Sequence, residues 1–313
     1  MKNIVRILLI LAFISGAGFF TLTSQWAFER LKADGQTLTS APRNLENGKT
    51  LFAVGGCASC HMTPGQPARD VLGGGLALKT AFGTFYPPNI STDPENGLGK
   101  WSEADFIRAL REGISPQGAH YYPAFPYTSY SRMTPDEVAD LFAYIKTLPA
   151  ASGKAPPHDL AFPFNIRRTL GVWKMLFMSN PTKTAEAAQT ASWERGRHLV
   201  EGPGHCAECH SPRNLLGGII ASQRFAGGPD AEMKGWVPNI TPAGEGVSDW
   251  TADDFAELLK TGFTPTFDAV GGSMADVVKN TAQLSDADRA AMAEYLKSLP
   301  PTIGPAKPAP KAK

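Results

Sequence analysis

Cysteine is scarce in this sequence: there are only four in 313 residues. So few cysteines exclude a disulfide-stapled scaffold. An excess of charge of one sign is also missing, because 30 lysines and arginines balance 29 aspartates and glutamates to a net charge of +1. A nearly neutral chain produces no field that attracts nucleic acid, so we predict no nucleic-acid partner.

Alternating apolar and polar runs are absent too, and nothing predicts a sheet. Helix signals are clear instead. Ser102 can cap a helix that ends at Gly113, and Thr134 precedes a proline at the first position of a later helix. The apolar residues of that later helix, and of the helix after Ser285, follow the 3.6-residue period: Val138, Leu141, Phe142, Ile145, Met292, Tyr295 and Leu296. We predict a mainly α fold with long loops.

The longest apolar run lies at the amino terminus. Lys2 and Arg6 precede an uncharged stretch at 7–27. A basic region followed by an apolar one directs export, and its basic end stays in the cytoplasm. The length falls between a cleaved signal and a spanning helix, so residues 1–30 are a signal or an anchor. We expect an anchor on the periplasmic side of the bacterial inner membrane. The alternative is a soluble periplasmic protein after signal cleavage.

All four cysteines lie in two pentapeptides that belong to an internal repeat, at 57–61 (CASCH) and 206–210 (CAECH). Surrounding residues return in the same order: 88–90 (PNI) as 238–240, Trp101 as Trp250, Gly113 as Gly262, and 148–149 (LP) as 299–300. The repeat predicts two homologous domains, at 40–150 and 193–302. We assign 151–192 to a linker strap and 303–313 to a disordered tail.

Cys-x-x-Cys-His is the attachment signal for c-type haem. One helical turn presents both thiols to the haem vinyl groups, and the adjacent imidazole faces the iron. A four-cysteine zinc site would have to unite two repeats, and it would leave both histidines unexplained. A thioredoxin-like pair lacks its strand and helix context, and two Cys-x-x-Cys disulfides would be strained. We predict two covalent haem c groups, one on Cys57 and Cys60 with His61 as iron ligand, the other on Cys206 and Cys209 with His210.

The sixth iron ligand separates a carrier from a catalyst, because an open iron can bind peroxide or another small ligand. Met274 follows two glycines and a serine in a predicted loop before the last helix, and we expect it to ligate the second iron. For the first iron we expect Met133, just before the cap residue Thr134. His120 is the alternative ligand there.

Three segments carry a resemblance to a known family: 83–91 (GTFYPPNIS), 122–127 (YPAFPY) and 209–214 (CHSPRN). They resemble membrane-associated multihaem c-type cytochrome subunits of periplasmic quinone-linked alcohol, aldehyde and sugar-acid dehydrogenases. The resemblance implies two tandem cytochrome c-like domains with an electron-transfer role and no catalytic residues. Two features depart from the family. Its members commonly hold three haems where this chain has two motifs, and many carry a methionine where Phe125 stands here.

These observations predict a dihaem cytochrome rather than an enzyme. It would take electrons from a periplasmic dehydrogenase subunit and deliver them to quinone or to an oxidase or cytochrome acceptor. The alternative is a dihaem redox enzyme, peroxidase-like or thiosulfate-oxidising, with one open or labile iron.

The linker contains two segments, 162–166 and 170–177, that are too apolar for an exposed connection. One interpretation is a strap that covers the seam between the domains. The other is a contact with a membrane surface or a partner, with Arg167, Arg168 and Lys174 on the polar side.

Overall fold

A computed structural model of the protein describes residues 1–24, 26–27, 36–178, 189–243 and 247–307. The predicted anchor, linker and tail therefore lie partly outside the described residues. The first helix, α1 (Lys2–Leu22), has 21 residues with a mean hydropathy of 2.2 in its most apolar window, and it buries none of them. Its length and composition suffice to cross a membrane, as those of a signal sequence also can.

Each repeat contains the same order of helices. The first has α2 (Leu45–Val54), α3 (Cys57–His61), α4 (Glu103–Glu112), α5 (Tyr127–Tyr130) and α6 (Pro135–Ile145). After α7, which lies in the linker (Leu170–Phe177), the second repeat has α8 (Ala191–Glu201), α9 (Ala207–His210), α10 (Ala252–Thr261), α11 (Ser273–Thr281) and α12 (Asp286–Ser298). The predicted mainly helical, two-repeat architecture is confirmed for the described residues.

The first and last helices of each repeat cross closely, and glycine makes the crossing feasible. A Cβ on Gly48 of α2 would lie 2.2 Å from the Asp140 carbonyl oxygen of α6. In the second repeat, a Cβ on Gly196 of α8 would lie 1.9 Å from the Ala291 carbonyl oxygen of α12. Any side chain at either position would push the helices apart.

The predicted helix ends are confirmed. The hydroxyls of Ser102 and Thr134 each accept a hydrogen bond from the backbone N–H three residues on, within complete capping boxes. Ser285 caps α12 by accepting from the Asp288 N–H. The helix α4 ends at Gly113, whose φ of 63° is easily adopted by glycine.

The prediction of no sheet is wrong in detail. Three short antiparallel strands, β1 (Leu78–Thr80), β2 (Gly83–Phe85) and β3 (Asp159–Leu160), form one sheet, while β4 (Gly228–Pro229) and β5 (Trp236–Val237) form another. Strands of two or three residues are too short to display an alternating pattern. Because β3 comes from the linker, its pairing with β2 ties the start of the linker to the first repeat.

The rest of the described linker contains a 3₁₀ turn (Arg167–Thr169) followed by α7. Lys174 of α7 points inward and is completely buried, so the prediction that it lies on the polar side of the linker is wrong. Its Nζ donates to the carbonyl oxygens of Glu112 and Gly113, at 2.5 and 2.7 Å. These carbonyls end α4 and have no partner within that helix. The ammonium therefore joins α7 to the end of α4.

Candidate functional site

The first pentapeptide forms the short helix α3, which follows Gly56 at a φ of 61°. Burial raises the pKa of the Cys57 thiol to about 12. Burial also raises that of Cys60 to about 11, and the nearby Cys209 and Asp276 of the second repeat add to this shift. The Cys60 thiol therefore lies close to the boundary between the repeats.

The ring of His61 is oriented by a backbone carbonyl. Its Nδ1 lies 2.8 Å from the Pro88 oxygen. Because a carbonyl only accepts, Nδ1 carries the hydrogen, and the Nε2 lone pair is left to bind a metal. Burial lowers the pKa of His61, which keeps the ring neutral. A neutral ring with an available Nε2 is the form that ligates haem iron.

The second pentapeptide repeats this chemistry. Burial raises the pKa of Cys206 to about 12 and also raises that of Cys209. The His210 Nδ1 lies 2.8 Å from the Pro238 oxygen, and burial lowers the pKa of the ring. The recurring Pro-Asn-Ile segment thus has a physical reason, since its proline carbonyl orients the histidine in each repeat.

The asparagine of the same segment anchors the loop to the chain beyond the last helix. Asn89 Nδ2 donates to the Ala151 oxygen at 2.6 Å, and Asn239 Nδ2 donates to the Thr302 oxygen at 2.8 Å. Both loops therefore hold their proline carbonyl at a defined position beside the motif histidine. This is the supporting shell that a haem ligand requires.

Both predicted methionines lie in the cluster that contains their own motif. Met133 is 1% exposed, in the first core together with Leu51 and Phe106, against which Cys57 packs. Met274 is partly buried and packs against the second core, as Cys206 does. Met274 lies in the first turn of α11 rather than in the predicted loop, because the helix begins directly after Gly272.

His120, the alternative ligand, uses both ring nitrogens elsewhere. Its Nδ1 accepts from Lys174 Nζ at 3.1 Å, and its Nε2 donates to the Thr23 oxygen at 3.1 Å. Burial and the Lys174 charge lower the pKa of His120 to about 4, in keeping with this neutral tautomer. A ring engaged on both sides is poorly suited to bind iron.

The two motifs touch each other's repeat through the residues between their cysteines. In the first motif, the Ser59 hydroxyl accepts from Asn280 Nδ2 of α11 at 2.9 Å. Arg69 of the first repeat donates to both partners, to Asn280 Oδ1 at 2.7 Å and to Ser59 at 3.2 Å. The first motif is thereby hydrogen-bonded to a helix of the second repeat.

The second motif makes the reciprocal contact. Glu208 Oε1 accepts from the hydroxyls of Thr128 and Ser129 of α5, at 2.7 and 3.0 Å. Its other oxygen accepts from Arg213 at 2.6 Å. Burial disfavours ionisation of Glu208, but Arg213 and the hydroxyl donors outweigh it and lower the pKa. A charged carboxylate therefore joins the second motif to the first repeat. We name these two sets of contacts the reciprocal contacts.

Sequence reasoning missed this interface. Ser59 and Glu208 occupy the variable positions of the motifs, and no spacing rule assigns them a role. His205, which precedes the second motif, also takes part in this interface. Its Nε2 donates to the Gly55 oxygen of the first repeat at 3.2 Å. The one sequence feature that could have indicated the interface is Glu208, an acidic residue between the two cysteines of a haem-binding motif.

Comparison with known proteins agrees with this geometry. The cytochrome c family matches residues 45–149 and 193–300. The chain belongs to the cytochrome c family. A "Diheme cytochrome c-type" protein of Cereibacter sphaeroides is 51% identical over 277 residues, covering 88% of this chain and 92% of that protein.

Two further relatives are subunits of dehydrogenases. The fructose dehydrogenase cytochrome subunit of Gluconobacter japonicus is 38% identical over 84% of this cytochrome and 54% of its own length. The cytochrome c subunit of the quinone alcohol dehydrogenase of Gluconobacter oxydans is 36% identical over 82% of this chain and 55% of its own. The cytochrome therefore spans about half the length of these subunits. The predicted family is confirmed.

The cytochrome carries two covalently bound haem c groups, as predicted, and is an electron-transfer component rather than a catalytic enzyme. The residues described above fit such a group. Cys57 and Cys60 lie one turn apart on α3, while Cys206 caps α9 and Cys209 lies within it. In each adjacent histidine the backbone carbonyl is bound by Nδ1 and not by Nε2. Cys57, Cys60 and His61 would hold one haem, and Cys206, Cys209 and His210 the other.

Proposed function

We propose that this cytochrome accepts electrons from a periplasmic dehydrogenase and passes them through its two haem sites to quinone or a terminal oxidase chain. The observation that carries the proposal is the pair of reciprocal contacts. They hold the two attachment motifs against each other, with Ser59 and Glu208 each bound by the opposite repeat. Bound haem supplies the one-electron chemistry. The chain supplies the hydrogen bonds that hold the two sites together.

The positions of the two methionines also support a carrier. Met133 and Met274 share a core with Cys57 and Cys206 respectively, and His120 is engaged by Lys174 and Thr23. We assign the two methionines as the sixth ligands. Two thioether-closed sites favour electron transfer over the alternative of a peroxidase-like or thiosulfate-oxidising enzyme.

The amino-terminal helix is assigned as a retained anchor. Thr23, directly after α1, is 2% exposed, and its carbonyl accepts from His120 at 3.1 Å. Arg168 donates to the Phe20 oxygen at 2.7 Å and to the Thr23 hydroxyl at 3.0 Å. A leader destined for removal needs no such contacts with the folded protein. A carbonate wash should leave the chain in the membrane, whereas a soluble mature form beginning near residue 25 would contradict the assignment.

The electron-transfer role is tested in membranes from cells that produce the cytochrome. Alcohols, aldehydes and sugar acids are added in turn, and the ferrous haem bands are recorded. We expect one substrate class to reduce both haems and to drive oxygen uptake. Deleting the cytochrome should abolish that uptake while the dehydrogenase still reduces an artificial acceptor. Uptake that persists without the cytochrome would contradict the proposal.

A further inference from the structure

The end of α1 is packed against the linker. Besides its two hydrogen bonds, the Arg168 guanidinium lies 4.7 Å from the centroid of the Phe20 ring. A Cβ on Gly171 would lie 2.8 Å from the Thr23 Cα, so the backbone of α7 closely contacts the residue that follows α1. The linker from the 3₁₀ turn into α7 is therefore fastened to the last turn of α1.

This attachment sets the height of the linker above a bilayer. If α1 spans the membrane with its basic start in the cytoplasm, its last turn lies at the outer interface. The linker residues fastened to that turn must lie at the same level. Several apolar side chains of the linker are nevertheless solvent-exposed: Phe162 at 78%, Phe164 at 41%, Ile166 at 42% and Leu176 at 64%.

The exposed surface continues into the second repeat. The Trp173 indole N–H donates to the Leu216 oxygen at 2.8 Å, which places the loop after the second haem motif beside α7. In that loop Leu215 is 96% exposed and Leu216 is 56% exposed. Phe82 bridges the two parts, since its ring centroid is 4.9 Å from that of Phe164 and its tip would lie 3.2 Å from a Cβ on Gly217.

We name this surface the strap patch: Phe162, Phe164, Ile166, Leu176, Leu215 and Leu216. Its charge suits lipid headgroups. Residues 160–178 contain Arg167, Arg168 and Lys174 and no acidic residue. Lys174 is buried, but the two arginines remain near the surface, where Arg167 lies 4.7 Å from the centroid of the Tyr122 ring. Apolar side chains bordered by arginine are typical of protein surfaces that lie in the interfacial layer.

We propose that the strap patch lies in the headgroup and upper acyl region of the bilayer that α1 crosses, so that the cytochrome rests on the membrane in one orientation. The inference rests on the proposed anchoring of α1. A lipid surface is the occupant because the patch is joined to the end of the anchor by Arg168 and Gly171. The loop after the second haem motif belongs to the patch, so the second haem site is the one that faces the membrane.

The test uses the full-length holoprotein in vesicles of phosphatidylcholine and phosphatidylglycerol. Because haem occupies the native thiols, an added cysteine is the only reactive one and takes a single environment-sensitive dye. Leu176→Cys and Leu215→Cys report on the strap patch, and Leu11→Cys reports on α1. The control is Ile303→Cys, since Ile303 is 84% exposed on the segment after the last helix. Lipids with a nitroxide near the glycerol backbone serve as quenchers.

We expect several-fold stronger quenching at positions 176 and 215 than at 303. The label at 11, tested with a nitroxide deep in the acyl chain, reports the anchoring separately. If 11 is quenched while 176 and 215 match the control, the strap patch does not lie in lipid although the anchor does, and the inference is wrong. Protection of 176 and 215 in native membranes, without quenching in pure lipid, would assign the patch to a protein partner and overturn it equally. If 11 is also unquenched, the anchoring itself fails.

Discussion

The residues just before the two haem motifs show how similar repeats acquire different tasks. Gly56 and His205 occupy the same place and share the left-handed conformation, with φ of 61° and 40°. Glycine adopts it freely, whereas histidine pays about 1–2 kcal/mol. The His205 ring offsets this cost because it donates a hydrogen bond to the Gly55 oxygen and makes an edge contact with the Tyr130 ring, at a centroid distance of 5.7 Å. Backbone strain is thus tolerated where it helps to join the two regions.

The segments before the last helix of each repeat also differ, in helix length and in the position of the methionine. In the first region α5 has four residues, and Met133 follows it directly before the cap of α6. In the second region α11 has nine residues, and Met274 lies in its first turn. The second region has Leu284 where the first has Met133. The candidate sixth ligands therefore occupy different positions in the two repeats, and one repeat could not have been used to predict the ligand of the other.

The largest effect is expected from removing one attachment site. Cys206→Ala with Cys209→Ala should lower the mass by one haem and leave the second region open to protease. The matched pair Cys57→Ala with Cys60→Ala should also lose one haem, but the first region should resist protease better because β3 and Lys174 also support it. Mass spectrometry and limited proteolysis measure both. A wild-type mass without haem would contradict the assignment.

The second comparison concerns the sixth ligands. Met274→Ala and Met133→Ala should each open one iron, so that each variant binds about one carbon monoxide per chain and loses part of its low-spin spectrum. The potential of the opened site should fall, because thioether ligation favours the ferrous state. His120→Ala is the control and should bind none. Carbon monoxide binding by the unmodified cytochrome would support the enzyme alternative instead.

The reciprocal contacts should differ in strength. Glu208→Ala leaves two hydroxyls without their acceptor and removes the carboxylate that pairs with Arg213, so it should cost about 2 kcal/mol of unfolding free energy. Ser59→Ala removes a neutral hydrogen-bond acceptor and should cost about 1 kcal/mol. Urea unfolding followed by haem absorption measures both. Flash reduction should also show slower equilibration between the haems in Glu208→Ala, and equal rates would argue against a role for the contact in electron transfer.

The smallest effects concern the strained position. His205→Gly relieves the backbone but loses the bond to Gly55, and the two changes should offset to within about 0.5 kcal/mol. Gly56→Ala gains nothing and should destabilise the first region by about 1 kcal/mol. A Cβ there would also lie 3.2 Å from Asn280 Nδ2. If His205→Gly is clearly stabilising, the ring contacts contribute little.

The sequence predicted the helices and haem chemistry because these depend on local patterns. A few neighbouring residues are enough to recognise each helix cap, at Ser102, Thr134 and Ser285. The same holds for both Cys-x-x-Cys-His motifs. The interface between the repeats depends instead on pairs distant in sequence, such as Ser59 with Asn280 and Glu208 with Thr128. Lys174 was misplaced for the same reason, since the carbonyls that bind it lie at the end of a distant helix.

The reciprocal contacts also constrain the order of biogenesis. Ser59 and Glu208 sit between the cysteines that must react with haem, and both side chains are hydrogen-bonded to the opposite repeat. A haem-attachment enzyme that binds either pentapeptide after the repeats have closed would compete with these contacts. We therefore expect covalent loading to be favoured on an exported chain whose repeats have not yet closed. The first motif precedes the second in the chain, so a first repeat that is loaded early can complete these contacts only when the second repeat is present.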